Sequence, residues 1–307
     1  MRRIVSTSDN RYARDWDGYS RSWDGSHGKR YTHLGDEWND DGTEARERDE
    51  NYFRIYAARF LRPDMTVLEV GPGGGKWTVR IAPLVKKVVA LDVAESMLER
   101  TRERCASLGI DNVDYVLGNG QDFRPVASSS VDLFFSYDVF VHIALEDTFP
   151  YTGEIARTLR PGGLSVCHYA IGTTPGSCAR IEQTAWFYRG QAHTLGQYYY
   201  FSPEGLRRMY EHAGLHVAEL HEEWAYATVV ARRHGDSLIP DLEGALRRAT
   251  TGCNDAGERR AAAEELRQLP ARLAQRIEEL SVALETASTA QDTIAAVQQV
   301  RRLWRGL

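Results

Sequence analysis

A glycine-rich turn between an apolar strand and a helix constrains this chain more than any other feature. Residues 67–76 read Val-Leu-Glu-Val-Gly-Pro-Gly-Gly-Gly-Lys, so a short apolar strand carrying a carboxylate leads directly into a run of glycines. Glycine lets the backbone of such a turn approach a nucleotide-like ligand where a side chain would intrude. A tight turn between two buried elements also needs glycine, and the residues that follow decide between these interpretations.

A second predicted strand, residues 87–91, ends in Asp92, which follows Gly71 by 21 residues. At this offset a carboxylate can accept both hydroxyls of a ribose, which favours an adenosine ligand. A dinucleotide fingerprint needs a third small residue where this chain has Lys76, and no Lys-Ser or Lys-Thr pair follows the loop to cradle a phosphate. The sequence therefore argues against a dehydrogenase.

Four motifs follow one another in an order typical of one family. The pattern Glu-x-Gly-x-Gly-x-Gly at residues 69–75 resembles the first motif of class I S-adenosylmethionine-dependent methyltransferases. Residues 114–123 are similar to the third strand and adenine turn of that family, and residues 131–143 to its fourth strand and acceptor edge. Residues 159–168 are similar to its fifth strand with the turn before it. The resemblance covers about residues 64–234.

The resemblance implies an α/β fold, with a Rossmann-like, seven-stranded, mostly parallel sheet, helices on both faces and a closing hairpin. It also implies S-adenosylmethionine as the cofactor, with the amino-acid end in the glycine loop and the ribose on Asp92. Adenine is expected at Asn119, where the family usually has Asp, although Gln121 or Asp122 can present an oxygen instead. The residues expected to bind the cofactor are Glu69, Gly71, Pro72, Gly73, Asp92, Val93, Met97, Asn119, Gly120, Gln121 and Ser136.

Two histidines are candidates for catalysis. In-line attack on a sulfonium methyl group requires mainly that donor and acceptor are held collinear and away from water, whereas an alcohol acceptor must also lose a proton. His142 in the acceptor edge and His168 at the end of the fifth strand are the candidate bases, and each can instead be a structural hydrogen-bonding group. The residues expected to contact the acceptor are Trp16, Tyr19, Asp138, Tyr169, His193, Tyr198 and Tyr200.

The N-terminal part, residues 1–50, is polar, acidic and unusually rich in Tyr and Trp. The spacing of Trp16, Tyr19 and Trp23 predicts a helix with one aromatic face. This face either attaches the segment to the core or covers the substrate as a lid, and both roles are compatible. Residues 31–38 are loosely similar to a segment of sugar-directed members of the family.

The rest of the chain is expected to form two further parts. Residues 51–234 are predicted to bind the cofactor, with an aromatic insertion at 172–201 that lines the acceptor pocket or packs as a rigid loop. Residues 235–307 are rich in Ala, Leu, Glu, Gln and Arg, with apolar residues at steps of three and four. This pattern predicts helices that pack on the core or pair with a second copy, and we expect a homodimer.

Composition and charge narrow the class of protein. The net charge of −5 and the lack of a basic stripe interleaved with aromatic residues disfavour a nucleic-acid partner. The four cysteines lack the spacing of a zinc site or a redox dithiol, so we expect no metal. The scattered cysteines fit a reduced cytoplasm, and because the sequence has no long apolar segment we expect a protein that does not bind membranes.

Three functions remain open at this point. The first is methylation of a hydroxyl on a small molecule, such as a sugar or a glycosylated secondary metabolite. The second is N-methylation of a small amine, which needs no strong base once the amine is neutral. The third is a scaffold that binds the cofactor without chemistry, against which the intact Glu69, loop glycines and Asp92 count.

Overall fold

The computed structural model describes residues 10–23, 31–39, 43–190 and 195–233, together with Thr289 and Asp292. The chain divides into two compact units, residues 1–235 and 236–307. The predicted C-terminal helices and the predicted acceptor residue His193 lie outside the described residues. In the second unit, the backbone N–H of Thr289 donates to Oδ2 of Asp292, and the backbone N–H of Asp292 donates to Oγ1 of Thr289, both at 3.1 Å.

The strands within the described ranges form one sheet. They are β1 (Thr66–Val70), β2 (Lys87–Asp92), β3 (Val113–Leu117), β4 (Val131–Ser136), β5 (Leu159–Ile171), β6 (Tyr200–Phe201), β7 (Leu215–Glu223) and β8 (Tyr226–Arg233). The order of the sheet is β3-β2-β1-β4-β5-β8-β7; β1 to β5 are parallel, and β7 and β8 form a closing antiparallel hairpin. The expected mostly parallel α/β fold is confirmed, with an eighth, two-residue strand, β6, that pairs with the end of β5.

Helices alternate with the strands and begin and end at the residues that the sequence favours. Ser202 caps the helix Pro203–His212 by accepting the N–H of Gly205, and Gly109, with φ of 67°, follows the end of the helix Glu95–Ser107. None of the helices in the described ranges combines the length and apolar character needed to cross a membrane. The helices are α1 (Arg11–Ser22), α2 (Thr43–Tyr56), α3 (Thr78–Ile81), α4 (Glu95–Ser107), α5 (Leu145–Thr158), α6 (Pro175–Tyr188) and α7 (Pro203–His212).

Apolar layers cover both faces of the sheet. Because side chains alternate along a strand, Cys167 and Tyr169 of β5 pack in one layer with Tyr210 of α7. Val166 packs in the other layer with Tyr52 of α2. Helices therefore lie on both faces, as parallel strands require.

The candidate site lies where the parallel strands end. In an open parallel sheet, ligands bind beyond the carboxyl ends of the strands. Ser136, the last residue of β4, is buried and donates its hydroxyl to the carbonyl of Val70, the last residue of β1, at 2.9 Å. This bond fixes the ends of β1 and β4 relative to each other, and the loops that follow them inherit that position.

Candidate active site

The glycine loop after β1 combines a backbone that favours glycine with open space at its centre. Gly71 and Gly73 have φ angles of 72° and 58°, in the left-handed region. A Cβ on Gly71 would lie 2.2 Å from Cγ2 of Val139, whereas a Cβ on Gly73 would meet no atom within 4 Å. Gly71 is therefore required for packing, and Gly73 borders a space that a side chain would enter.

Two buried carboxylates flank this loop. Glu69 accepts the hydroxyl of Thr78 at 2.7 Å, and burial raises the pKa of Glu69 to about 7 although this hydrogen bond opposes the shift. Asp92 accepts the N–H of Ala94 at 3.0 Å, and burial raises the pKa of Asp92 to about 6 against the effect of that bond. Asp92 also receives a backbone hydrogen bond from Gly73, so its carboxylate faces the glycine loop.

The turn predicted to meet adenine is held in shape by Asn119. Its Oδ1 accepts the backbone N–H groups of Gln121 and Asp122 at 2.8 and 3.0 Å. From the other side, Nδ2 of Asn10 lies 3.3 Å from the carbonyl of Asn119 and donates to that of Gly120 at 3.2 Å. The amide oxygen expected to meet adenine thus bonds within its own turn.

Helix α1 lies close to the loops at this edge. Asp17 accepts the backbone N–H of Ser96 at 3.0 Å, which ties α1 to the start of α4. The ring of Trp16 is 5.4 Å from that of His142. The predicted aromatic face of α1 therefore reaches the acceptor edge through Trp16.

The segment after α1 contacts the glycine loop directly. A Cβ on Gly74 would lie 1.9 Å from the carbonyl oxygen of Leu34. Leu34 packs with Met97, and Tyr19 packs against this pair while its hydroxyl donates to Glu37 at 2.9 Å. Tyr19 thus lies beside a predicted cofactor residue rather than beside the candidate bases.

Asp138, which follows the end of β4, contacts His168 of β5. Oδ1 of Asp138 lies 2.9 Å from Nδ1 of His168, although the imidazole N–H does not point straight at it. Burial by itself raises the pKa of Asp138, but the contact with His168, with smaller contributions from His142 and Lys76, holds the pKa below its ordinary value. The side chain of Asp138 is 39% exposed although it lies deep among protein atoms, so it lines a recess.

Aromatic rings surround His168. The ring of Tyr137 stacks on the imidazole at 4.5 Å between centroids, with an interplanar angle of 11°. Tyr226 of β8 lies at 4.8 Å and Tyr52 of α2 at 5.8 Å. These rings fix the imidazole beside Asp138 and make the wall of the recess largely apolar.

Tyr169 does not reach this recess, contrary to its prediction as an acceptor residue. It follows His168 in β5 and therefore faces the opposite side of the sheet. Its side chain is fully buried, and its hydroxyl lies 3.0 Å from that of Tyr210. Tyr169 stabilises the core instead.

His142 is the last residue of a short 3-10 helix after β4, Phe140–His142, and a backbone carbonyl sets the orientation of its ring. Its Nδ1 is 3.0 Å from the carbonyl oxygen of Gln197. A carbonyl can only accept, so Nδ1 carries the proton of the neutral ring and Nε2 carries the lone pair. Tyr198 packs at 4.8 Å from this ring, and Tyr198 and Tyr200 stack at 6.4 Å.

Comparison with known proteins identifies the central part of the chain. Residues 67–163 match the family model of a methyltransferase domain. The chain is 34% identical over 106 residues to protein-L-isoaspartate O-methyltransferase 1 of Polaromonas sp., covering 34% of this chain and 41% of that protein. It is 29% identical over 110 residues to phosphoethanolamine N-methyltransferase 1 of Caenorhabditis elegans, covering 36% and 22%. The domain is a class I S-adenosylmethionine-dependent methyltransferase.

Similarity to solved structures supports the fold of this methyltransferase domain. The 4+2 cyclase SpnF superimposes with a TM-score of 0.50 at 13% identity, covering 62% of this chain and 81% of that one. At this identity the likeness shows the fold alone. The chain also spans less than half the length of the two curated relatives, 41% and 22%.

S-adenosylmethionine is the cofactor of the methyltransferase domain, and the residues present fit it. The open space beside Gly73 can take a ligand group that a Cβ would displace. Buried Asp92 next to it offers carboxylate oxygens to a ribose. Of the other predicted cofactor residues, Pro72 and Met97 are buried, Val93 is partly buried, and Gln121 is exposed.

Sequence reasoning missed several residues of this methyltransferase site. Asn10 belongs to the N-terminal segment, and Tyr226 lies opposite Ala170 in the pairing of β8 with β5. Lys76 pairs with Asp49 of α2 at 2.5 Å. The alternation along the predicted closing hairpin was a usable signal for Tyr226, whereas no local pattern connects α2 or Asn10 to the site.

Proposed function

We propose that this methyltransferase transfers a methyl group to a hydroxyl of a small molecule, with His142 as the general base. The observation that carries the proposal is the bond from Nδ1 of His142 to the carbonyl of Gln197, because it leaves the lone pair on Nε2. Asp138 supports the assignment of the acceptor site, since its accessible carboxylate lines the recess near His142. A sugar or a glycosylated secondary metabolite is the acceptor class that the surrounding aromatic rings suit.

The cofactor contacts in this proposal follow from the geometry of the loops. Gly71 and Gly73 hold the amino-acid end, and Asp92 accepts the ribose hydroxyls. The backbone of residues 119–121 meets adenine, because the side chain of Asn119 is engaged in shaping that turn. S-adenosylmethionine supplies the activated methyl group when bound.

The protein residues then have two tasks in the reaction. His142 accepts the proton of the acceptor hydroxyl on Nε2 while the methyl group passes from the sulfonium sulfur, which leaves as a neutral thioether, to the hydroxyl oxygen. The pair of Asp138 and His168 orients the acceptor by hydrogen bonds, and the aromatic walls exclude water. His168 is the alternative base, because its imidazole is oriented by a carboxylate rather than by a carbonyl.

We also propose that the N-terminal part, residues 1–50, acts as a lid. Asn10 contacts the adenine turn, Leu34 contacts the glycine loop, and Trp16 contacts His142. A segment with these three contacts separates both the cofactor and the reacting groups from solvent. Cofactor exchange then requires α1 to move.

The remaining parts of the chain carry proposals of their own. Residues 51–234 form the catalytic domain, and residues 235–307 form a helical extension through which two copies associate in the cytoplasm. The support for association is the apolar pattern of the extension. Sedimentation equilibrium of the full chain tests it, and a monomeric mass at all concentrations would reject the dimer.

A second candidate function is N-methylation of a small amine. It is favoured by one observation: the carboxylate of Asp138 and the rings of Tyr137 and Tyr226 all adjoin His168. Such surroundings suit the positive charge that develops on an amine nitrogen as it is methylated. An amine acceptor needs no base once it has lost its own proton. Replacement of His142 therefore distinguishes the two functions.

The test uses labelled S-adenosylmethionine with a panel of sugars, glycosides, phenols and amines. We expect a hydroxyl acceptor, and we expect His142→Ala to lower its turnover about 100-fold or more, the usual effect of losing a general base. His221→Ala, an exposed histidine of β7, is the matched control and should keep wild-type turnover. Near-full turnover of His142→Ala on a hydroxyl acceptor, or label only on amines, would reject the proposal.

A further inference from the structure

Arg180 of α6 is a partly buried cation that forms no salt bridge with any residue the structure describes. Its Cζ lies 4.1 Å from the ring centroid of Tyr198, 5.4 Å from that of Tyr226 and 5.7 Å from that of Trp224. Its Nε is buried and has no hydrogen-bond acceptor within the part of the chain that the structure describes. We call the three rings and Arg180 the arginine cage.

Contact with the three rings replaces only part of the hydration that the guanidinium loses on burial. Ring faces attract a cation, but they offer no acceptor to the five N–H donors of an arginine. A buried donor without an acceptor is rare, because water has been removed and nothing replaces it. Nε of Arg180 therefore lacks an acceptor among the described residues, and a ligand bound to the guanidinium can supply one.

The wall of the cage is held in an uncommon conformation. Trp224 has φ of 45°, which is rare for a bulky side chain, and its carbonyl accepts the hydroxyl of Thr174. Its indole lies against the backbone of α6, where a Cβ on Gly176 would be 2.4 Å from Cδ1 of Trp224. Strained residues of this kind concentrate at functional sites, which supports a binding role for the cage.

The cage adjoins both candidate bases. Tyr198 contacts Arg180 and also lies 4.8 Å from His142. Tyr226 contacts Arg180 and also lies 4.8 Å from His168. One ring therefore separates the guanidinium from each histidine, so a small acceptor can reach a base and Arg180 at the same time.

We propose that Arg180 binds a carboxylate group of the acceptor, so that the substrate is a hydroxylated carboxylic acid, a class that includes sugar acids. The inference rests on the proposed hydroxyl methylation, which it makes more specific. A carboxylate matches the planar fork of a guanidinium and neutralises its single charge. A phosphate dianion would leave a net negative charge near Asp138, so phosphate is the disfavoured anion.

The experiment measures binding, so that its outcome does not depend on turnover. The full chain is saturated with S-adenosylhomocysteine and titrated by calorimetry with 4-hydroxybenzoate, 4-hydroxybenzamide, glucuronate, glucuronamide and inorganic phosphate. We expect at least one acid to bind about tenfold or more tightly than its amide, because the amide lacks the charge that Arg180 pairs with. Arg180→Met should abolish this preference, and Arg180→Lys should keep part of it.

A control and a direct readout make the result decisive. Arg208→Met, at an exposed arginine of α7, should retain the wild-type preference for the acid. Phenylglyoxal labelling of Arg180 in the wild-type chain, followed by peptide mass, should slow when the preferred acid is present, which needs no variant. Equal affinity for acids and amides, tighter binding of phosphate, an unchanged preference in Arg180→Met, or unprotected Arg180 would each overturn the proposal. A preference for acids without hydroxyl methylation would reject only the proposed function.

Discussion

The carboxylate of Asp138, two residues beyond β4, meets the imidazole of His168, three residues before the end of β5, with 2.9 Å between Oδ1 and Nδ1. The register of the sheet produces this contact. Ser136 of β4 is aligned with Cys167 of β5, so the residues just beyond each lie at the same level. Asp138 also has φ of 57°, a conformation that aspartate and asparagine adopt more readily than most residues.

Asp138→Asn removes the negative charge of this residue and keeps the size of its side chain. Asparagine tolerates the same backbone conformation but has no negative charge to orient His168 or the acceptor. We expect kcat on the accepted substrate to fall about 100-fold, comparable to the loss of an acid or base group, with little change in melting temperature. Wild-type kcat in Asp138→Asn would contradict a role for the pair.

Asp138→Ala serves as the companion variant. Alanine loses the charge and is also disfavoured at positive φ, so we expect an additional destabilisation of about 1–2 kcal/mol. Chemical denaturation of both variants measures the difference. If the two unfold at the same denaturant concentration, the backbone at Asp138 is not strained.

Gly71→Ala should mainly lower the stability of the fold, whereas Gly73→Ala should mainly weaken cofactor binding. A Cβ at Gly71 collides with Val139, so this variant should be destabilised by about 1–3 kcal/mol. A Cβ at Gly73 enters open space, so that variant should fold but bind S-adenosylhomocysteine about tenfold or more weakly. Calorimetry and thermal unfolding measure the two effects.

Gly109→Ala is the control for the backbone cost of these substitutions. Gly109 also has positive φ and open space around a Cβ, but it follows α4 away from the glycine loop. It should lose stability to the same small extent as Gly73→Ala and keep full cofactor affinity. If Gly73→Ala also keeps full affinity, the cofactor does not occupy the space beside Gly73.

The sequence was sufficient for the sheet and for the cofactor loop because local patterns determine both. The glycine loop, the carboxylate ending β2 and the closing hairpin each have a spacing that few other structures share. The position of Asp138 near His168 could also be anticipated, since parallel strands bring their carboxyl ends to one edge. These features depend on residues that are close in sequence or on a regular sheet.

Other features depended on contacts between distant segments. The sequence predicts that Asn119 faces adenine, but its amide oxygen accepts the N–H groups of its own turn. Which of these partners the amide binds depends on the rotation of the side chain, which the sequence does not determine. Tyr169 was assigned to the acceptor although it alternates with His168 and faces the core. Arg180 carried no local signal, because its three partner rings come from two other segments.

Glu69→Gln should change how stability depends on pH. Burial raises the pKa of Glu69 from 4.5 to about 7, so the folded state keeps a proton that the unfolded chain has already lost in this range. The stability of the wild type therefore falls as pH rises from about 4.5 to about 7. The pKa of Asp92 is raised only to about 6, so Asp92 makes stability depend on pH mainly below that value. Glu69 therefore dominates the pH dependence of stability between pH 6 and 7.

The measurement compares urea unfolding of the two chains at several pH values without cofactor. Between pH 6 and 7 we expect the free energy of unfolding of the wild type to fall by about 1 kcal/mol per pH unit. Glu69→Gln should not show this decrease. The amide oxygen of glutamine can still accept the hydroxyl of Thr78. Glu182→Gln, at an exposed position of α6, is the control and should follow the wild type. Parallel pH curves for wild type and Glu69→Gln would mean that Glu69 ionises normally.

Asn10→Asp should loosen the proposed lid without unfolding its helix. The side-chain oxygen of Asn10 caps α1 by accepting the N–H groups of Tyr12 and Ala13, and aspartate keeps this function. Aspartate cannot donate to the carbonyls of the adenine turn, and its charge lies close to them. We expect S-adenosylhomocysteine to dissociate about tenfold faster, as stopped-flow fluorescence would measure, because those contacts hold α1 over the cofactor.

A second variant on α1 shows whether faster dissociation comes from the lost contacts of Asn10 or from any change to this helix. Arg14 lies on the same helix with a largely exposed side chain, so Arg14→Ala should leave the dissociation rate unchanged. Asn10→Ala loses the cap as well as the donor and should be the fastest of the three. Equal dissociation from Asn10→Asp and wild type would show that the cofactor leaves without displacing α1, and the N-terminal segment would then be structural.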